Sequence, residues 1–277
     1  MTDHDRGHDA AQLEPDEEKK AVEQEAPSAG VSHEAIRREA VKELDRAPSA
    51  LAWSGLAAGL SMGLSMVAEG ALRTHLPADA WRPLVTKLGY PIGFLAVIYG
   101  SQQLYTENTL TPLVPLMAER TWELLRRVLR LWAIVLLTNL AGALLFALVA
   151  AHTDAFASDV RASFTDIGRE AIAGNFGTLF VRGVLAGWII ALLVWMLPAA
   201  EGGARVALIV VMTWLIGAAE LAHVIVGSVE VLYLAARGEI AYATYVTGYL
   251  VPVLLGNTVG GVVLVAAVNH AQVTSGE

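Results

Sequence analysis

The sequence predicts an all-α membrane protein of six transmembrane helices arranged as an inverted repeat. Three observations lead there. Only 17% of the 277 residues are charged and 55% are hydrophobic, with a mean hydropathy of +0.51, whereas a soluble domain carries about 25% charged residues. Apolar stretches long enough to cross about 30 Å of hydrocarbon recur along the chain. Short polar motifs reappear in the same order in its two halves.

The charge is unevenly spread. Residues 1–49 hold 13 of the 27 acidic and 7 of the 19 basic residues, which leaves 14 acids and 12 bases for the other 228. Such a body cannot cover a water-facing surface, so a soluble enzyme is disfavoured. With pI near 5.4 there is no basic surface for a nucleic acid to meet. The absence of cysteine excludes disulfides, thiol catalysis and thiolate metal sites. Neither H-E-x-x-H nor a P-loop is present, so no enzymatic activity, metal or cofactor is expected.

Residues 1–31 read as a disordered acidic tail, with no cleaved signal and no lipidation signature; His4 and His8 belong to that solvated segment. An amphipathic interfacial helix is expected over 32–47, with Ser32 as N-cap and Ile36, Ala40, Val41 and Leu44 on one face. The six-span domain occupies 50–270, with spans near 50–70, 84–104, 131–151, 177–197, 206–233 and 247–269, and a short tail follows at 271–277. The halves run over about 50–151 and 177–270. Residues 108–117 form an extra apolar piece after the second span.

Six crossings place both ends of the domain on one side. The connection 118–130 carries Arg120, Arg126, Arg127 and Arg130, whereas the opposite loops mix Arg73, Arg82 and Lys87 with Asp154, Asp159, Arg161, Asp166, Arg169 and Glu170. The positive-inside rule puts both termini in the cytoplasm of an inner (plasma) membrane protein.

The repeat rests on three matches. Gly100-x-x-x-Leu104-x-Thr106 corresponds to Gly217-x-x-x-Leu221-x-His223, which pairs Thr106 with His223. Asn139-x-x-Gly142 corresponds to Asn257-x-x-Gly260, and Gly59/Gly63 to Gly183/Gly187. Three spans per half is an odd number, so the copies enter the membrane in opposite directions and their special residues meet at mid-depth.

Polar residues mark that depth. The stretch 101–109 interrupts the second span, which suits re-entrant backbone; a loop at the far interface is the alternative. The fifth span holds Glu220, His223 and Glu230. A titratable residue inside a span is a functional candidate: His223 can donate a hydrogen bond or a proton to a passing anion, or else bond to a neighbouring helix. Glu220, one helical turn earlier, would repel an anion and is expected at a packing or subunit contact. Asn139 and Asn257 are expected to bond broken backbone or the lining. His75, His152 and His270 fall at span ends.

These residues resemble the formate/nitrite transporter family, over about 34–270. Gly100 to Leu110 is similar to the family's second-span signature, and Thr138-Asn139-Leu140-Ala141-Gly142 to its third-span G-N-x-x-G. Gly183 to Met196 resembles its fourth-span motif, and Gly256-Asn257-Thr258-Val259-Gly260-Gly261 its sixth. The resemblance implies an aquaporin-like protomer with broken second and fifth spans, assembled as a homopentamer in the lipid bilayer. Each protomer would pass a small monovalent anion such as formate or nitrite, with a proton. It further implies a pathway of His223, Thr106 and Leu104, with Phe94 and Ile216 as additional constriction residues and Arg169 in place of a vestibule lysine. The chain departs from the pattern at Ala222, Gly227 and Gly187; the last two replace family asparagines. A pore for small neutral solutes and a non-transporting membrane scaffold remain as alternatives.

Overall fold

The computed structural model describes residues 29–267, with side chains from residue 30 through residue 263. The expectations for His4, His8 and His270, for the tail before residue 29 and for the tail at 271–277 lie outside the described residues. Within them, every regular element is helical.

The first helix, α1 (Ala29–Asp45), buries Ser32, Ile36, Ala40 and Leu44. Their spacing of four puts them on one stripe. Two expectations change here. Ser32 is not the N-cap but an interior residue of that stripe, because the helix begins three residues earlier. Val41, next to Ala40 and rotated away from it, is exposed. The helix is tied down by Arg127 to the Asp45 carboxylate, by Arg130 to the Leu44 carbonyl at 3.0 Å, and by His33 edge-on to Trp195. On its outer face, hydrogen bonds from Arg37 and Arg38 hold the Glu34 carboxyl down to about 2.

Among the described residues, four helices are long and apolar enough to cross a bilayer: α2 (Pro48–His75), α6 (Trp122–His152), α8 (Phe176–Met196) and α11 (Tyr242–Val263). They pair through small residues. A Cβ on Gly59 would overlap the Asn139 carbonyl of α6, and one on Gly142 would overlap α2 backbone; Gly187 meets Asn257 of α11 in the same way, and Gly260 meets Val184 of α8. Glycine is what lets the backbones come this close. These contacts correct the expected register. Gly59 corresponds to Gly187, not to Gly183, whose counterpart is Gly55. Glycines recur every four residues in α2, so sequence alone leaves the pairing ambiguous by one turn.

The remaining elements are shorter. The expected span 84–104 contains α3 (Arg82–Thr86), a tight turn at Lys87–Gly89 and α4 (Pro91–Tyr99). The chain is then non-helical until the turn Glu107–Thr109, and α5 (Leu113–Glu119) follows. The expected span 206–233 is divided into α9 (Gly202–Ala218) and α10 (Val224–Ala236). At 1.5 Å per residue, α4 reaches ~14 Å and α10 ~20 Å, each short of the ~30 Å hydrocarbon core.

Two expected loops are helical. Most of 118–130 is the start of α6: Thr121 caps it by accepting from the Leu124 N–H, so Arg126, Arg127 and Arg130 lie on helix. The stretch carrying Asp159 to Glu170 is α7 (Ser158–Ala171), which buries Phe164 and Ile167 while Arg73 bonds Glu170 at 2.7 Å. Its high charge density hid an amphipathic period.

Gly59→Val forces a side chain into the Asn139 carbonyl and should cost on the order of 3 kcal/mol, visible as a lower melting temperature of the purified protein. Gly203→Ala, with nothing within 4 Å of the added methyl, should leave it unchanged.

Candidate functional site

Helices α4 and α9 end alike. After α4, Ser101 adopts φ 49°, and the Gln102 N–H donates to the Val97 carbonyl at 3.0 Å. After α9, Glu220 adopts φ 51°, and the Leu221 N–H donates to the Ile216 carbonyl at 2.9 Å. This is the left-handed helix stop usually filled by glycine, here made twice with a side chain at a cost of ~1–2 kcal/mol.

The backbone beyond each stop is buried, and one asparagine meets it each time. Asn139 Nδ2 donates to the Gly55 and Gln103 carbonyls, both at 2.8 Å, and its Oδ1 accepts from the Tyr105 N–H at 2.9 Å. Asn257 Nδ2 donates to the Gly183 and Ala222 carbonyls, both at 2.8 Å, and its Oδ1 accepts from the Val224 N–H at 2.8 Å. Both amides therefore use all the bonds they most need in a fully buried site.

The two clamps fix the correspondence between the halves. Gln103 and Ala222 are equivalent, as are Tyr105 and Val224, so Leu104 is the counterpart of His223. The expected pairing of Thr106 with His223 is thereby corrected to a contact across the halves. His223 Nε2 lies 2.7 Å from Thr106 Oγ1, and both side chains are buried. Nδ1 accepts from the Val226 N–H at 3.2 Å and caps α10. A nitrogen that accepts carries no proton, so Nε2–H donates to Thr106. The Phe94 ring meets the imidazole edge-on with centroids 5.0 Å apart. Phe94, Leu104 and Ile216 are fully buried.

A cavity of about 630 Å³ leads down to His223. It opens near the C-terminal end of α2, where Glu69 and Arg73 line it; α1 precedes the other end of that helix, ~40 Å away. Glu220 is not one helical turn from His223, because residues 219–223 are non-helical. Its exposed carboxylate lines the cavity 3.4 Å from Arg182. Arg169 pairs with Glu239 at 2.7 Å outside the cavity and does not reach the site.

Three lining residues went unrecognised. Glu69 and Lys87 form an ion pair at 2.6 Å in the cavity wall; a carboxylate near the end of the first apolar run was the available signal. Tyr249 donates to the His223 carbonyl at 3.0 Å. Its hydroxyl occupies the place a Cβ on Gly227 would take, so the glycine there makes room for a phenol.

Comparison with known proteins supplies context. The profile of the formate/nitrite transporter family matches residues 31–271. The inner membrane protein YfdC of Escherichia coli (strain K12) is 38% identical over 241 residues, 87% of this chain and 77% of its own length. The uncharacterized transporter YrhG of Bacillus subtilis (strain 168) is 22% identical over 77% of this chain and 81% of its own length. Among solved structures, a pentameric formate channel with formate bound superposes with a TM-score of 0.67 at 18% identity, covering 87% of this chain and 99% of that one. An FNT family ion channel superposes at 0.71 with 21% identity, covering 85% and 96%.

Asn257→Ala strands the Val224 N–H and two carbonyls and should cost on the order of 3 kcal/mol. Hydrogen exchange should accelerate at the amides of residues 222–226. Unchanged exchange there would contradict the clamp.

Proposed function

The chain belongs to the formate/nitrite transporter family, and from that premise we propose that it is a proton-linked channel or transporter for small monovalent weak-acid anions such as formate or nitrite. The observation that carries the proposal is the buried Thr106–His223 pair, with His223 in the wall of a deep cavity and Phe94 edge-on to its imidazole. In this reading α3–α4 with α5, and α9 with α10, are the broken second and fifth crossings. Together with the four long helices they make six, in two oppositely directed halves. The protomer works as one of five in the inner membrane, with both termini cytoplasmic.

The chemistry follows from the local polarity. Stripping water from a bare anion in an apolar slit costs many kcal/mol. Thr106 and His223 are the polar groups offered beside that slit. Nε2–H is aimed at the Thr106 hydroxyl, and an oxygen of the arriving cargo would accept from one or both. His223 keeps its cap on α10 only with Nδ1 unprotonated, so its role is to orient a donor. With a proton moving alongside, the cargo leaves as the neutral acid.

His223→Phe should abolish acid-stimulated formate or nitrite uptake into proteoliposomes, roughly a hundredfold or more if one charge-facing donor contributes ~3 kcal/mol, while the assembly still purifies intact. Undiminished flux would defeat the proposal. Flux without membrane-potential dependence or pH dependence would instead favour a neutral solute.

A further inference from the structure

The cavity above His223 has an unexpected charge balance for a vestibule meant to receive anions. Five carboxylates line it against three cationic side chains. Enclosed by low-dielectric walls, that excess repels anions and concentrates cations, protons included.

Three of these groups sit on elements that pack together, α2 against both α10 and the turn at Lys87–Gly89. Glu69 of α2 and Glu230 of α10 are 1% and 5% exposed, and Lys87 comes from the turn between α3 and α4. Lys87 Nζ bonds Glu69 Oε2 at 2.6 Å. Glu69 Oε1 and Glu230 Oε1 are buried with no hydrogen-bond partner among the described residues. With both carboxylates ionised, the trio carries a net charge of −1, and side chains this buried carry an unpaired charge only at a cost. A single proton balances the three charges.

The neighbouring charges do not supply that balance. Arg73 is engaged by Glu170 at 2.7 Å and Asp166 at 3.6 Å. Arg82 bonds the Arg73 carbonyl and its buried Nε has no partner among the described residues, but no ion pair joins it to Glu69 or Glu230; Arg182 faces Glu220. Asp79, at the exposed rim, adds negative charge. The other titratable groups on the wall are the Tyr90 and Tyr249 phenols and His223. Tyr249 donates to a backbone carbonyl and His223 caps a helix, so neither is a free proton source.

We propose that Glu69, Glu230 and Lys87 form a proton-binding site in the vestibule wall, in which the two carboxylates share one exchangeable proton that passes to the weak-acid anion on its way to His223. The delivery step rests on the transport reading above; the site itself does not. In that step the O–H bond of the carboxyl breaks, an O–H bond forms on the anion, and the carboxylate is reloaded by a proton from vestibule water.

The test is infrared difference spectroscopy of the intact assembly in lipid vesicles, titrated between about pH 5 and pH 9 with no transported anion present. A carboxyl C=O stretch should appear on acidification, shift in deuterated water, and be lost in Glu230→Gln and weakened in Glu69→Gln. Variants are compared only when they elute as the parent assembly does. Absence of any such titrating band in the unsubstituted protein overturns the proposal, whatever the variants do. So does a band that both substitutions leave intact. Sodium, potassium or methylammonium added at fixed pH should leave the band in place; its removal by one of them would assign the site to that cation and overturn the proton assignment. A band lost in Glu230→Gln alongside zero anion flux would keep the site and refute the transport reading. Acid-stimulated flux with no band would do the reverse.

Discussion

Two asparagine side chains hold this architecture together. The backbone leaves helical geometry twice inside an apolar body, and each departure frees carbonyls and N–H groups with no water to meet them. Asn139 and Asn257 answer with three hydrogen bonds each, to equivalent atoms. Each amide also bonds a glycine carbonyl on a neighbouring long helix, Gly55 or Gly183. The glycines that let α2 approach α6 and α8 approach α11 are thus part of the same device. Remove the close approach and the amide no longer spans the gap between helix and broken backbone.

The clamps place the chemistry by placing its neighbours. Leu104 lies between the Gln103 carbonyl and the Tyr105 N–H that Asn139 holds, and His223 lies between the Ala222 carbonyl and the Val224 N–H that Asn257 holds. A symmetric scaffold therefore presents an apolar side chain from one half and an imidazole from the other. The asymmetry continues outward. Around His223 the wall collects Glu69, Lys87, Glu230 and Tyr249, and Tyr249 reaches the histidine carbonyl only because residue 227 lacks a Cβ.

Much of this was legible in the sequence, and what was hidden was hidden for physical reasons. Charge depletion and apolar run length identify a membrane body, and the paired N-x-x-G motifs identify both clamps. Thr106 and His223 stand out as polar residues in apolar surroundings, and they do meet. The register between halves was misread, because glycines spaced by four fit equally well one turn apart, and because G-x-x-x-L-x-polar aligns letters rather than hydrogen bonds. Helix α7 was missed because an amphipathic helix that covers a vestibule wall has a loop's composition. The ion pair of Glu69 and Lys87 joins residues 18 apart across a turn, and no local pattern announces it.

The central claim is that the route through each protomer passes the imidazole at the base of this cavity. The native chain has no cysteine, so a single Leu221→Cys places one thiol in the cavity wall just above His223. The direct measurement is flux of the best-carried weak-acid anion into vesicles, before and after complete labelling of that thiol by a bulky impermeant reagent. The account predicts that labelling stops the flux while the unsubstituted protein is unaffected by the reagent. Undiminished flux through fully labelled protein would contradict it.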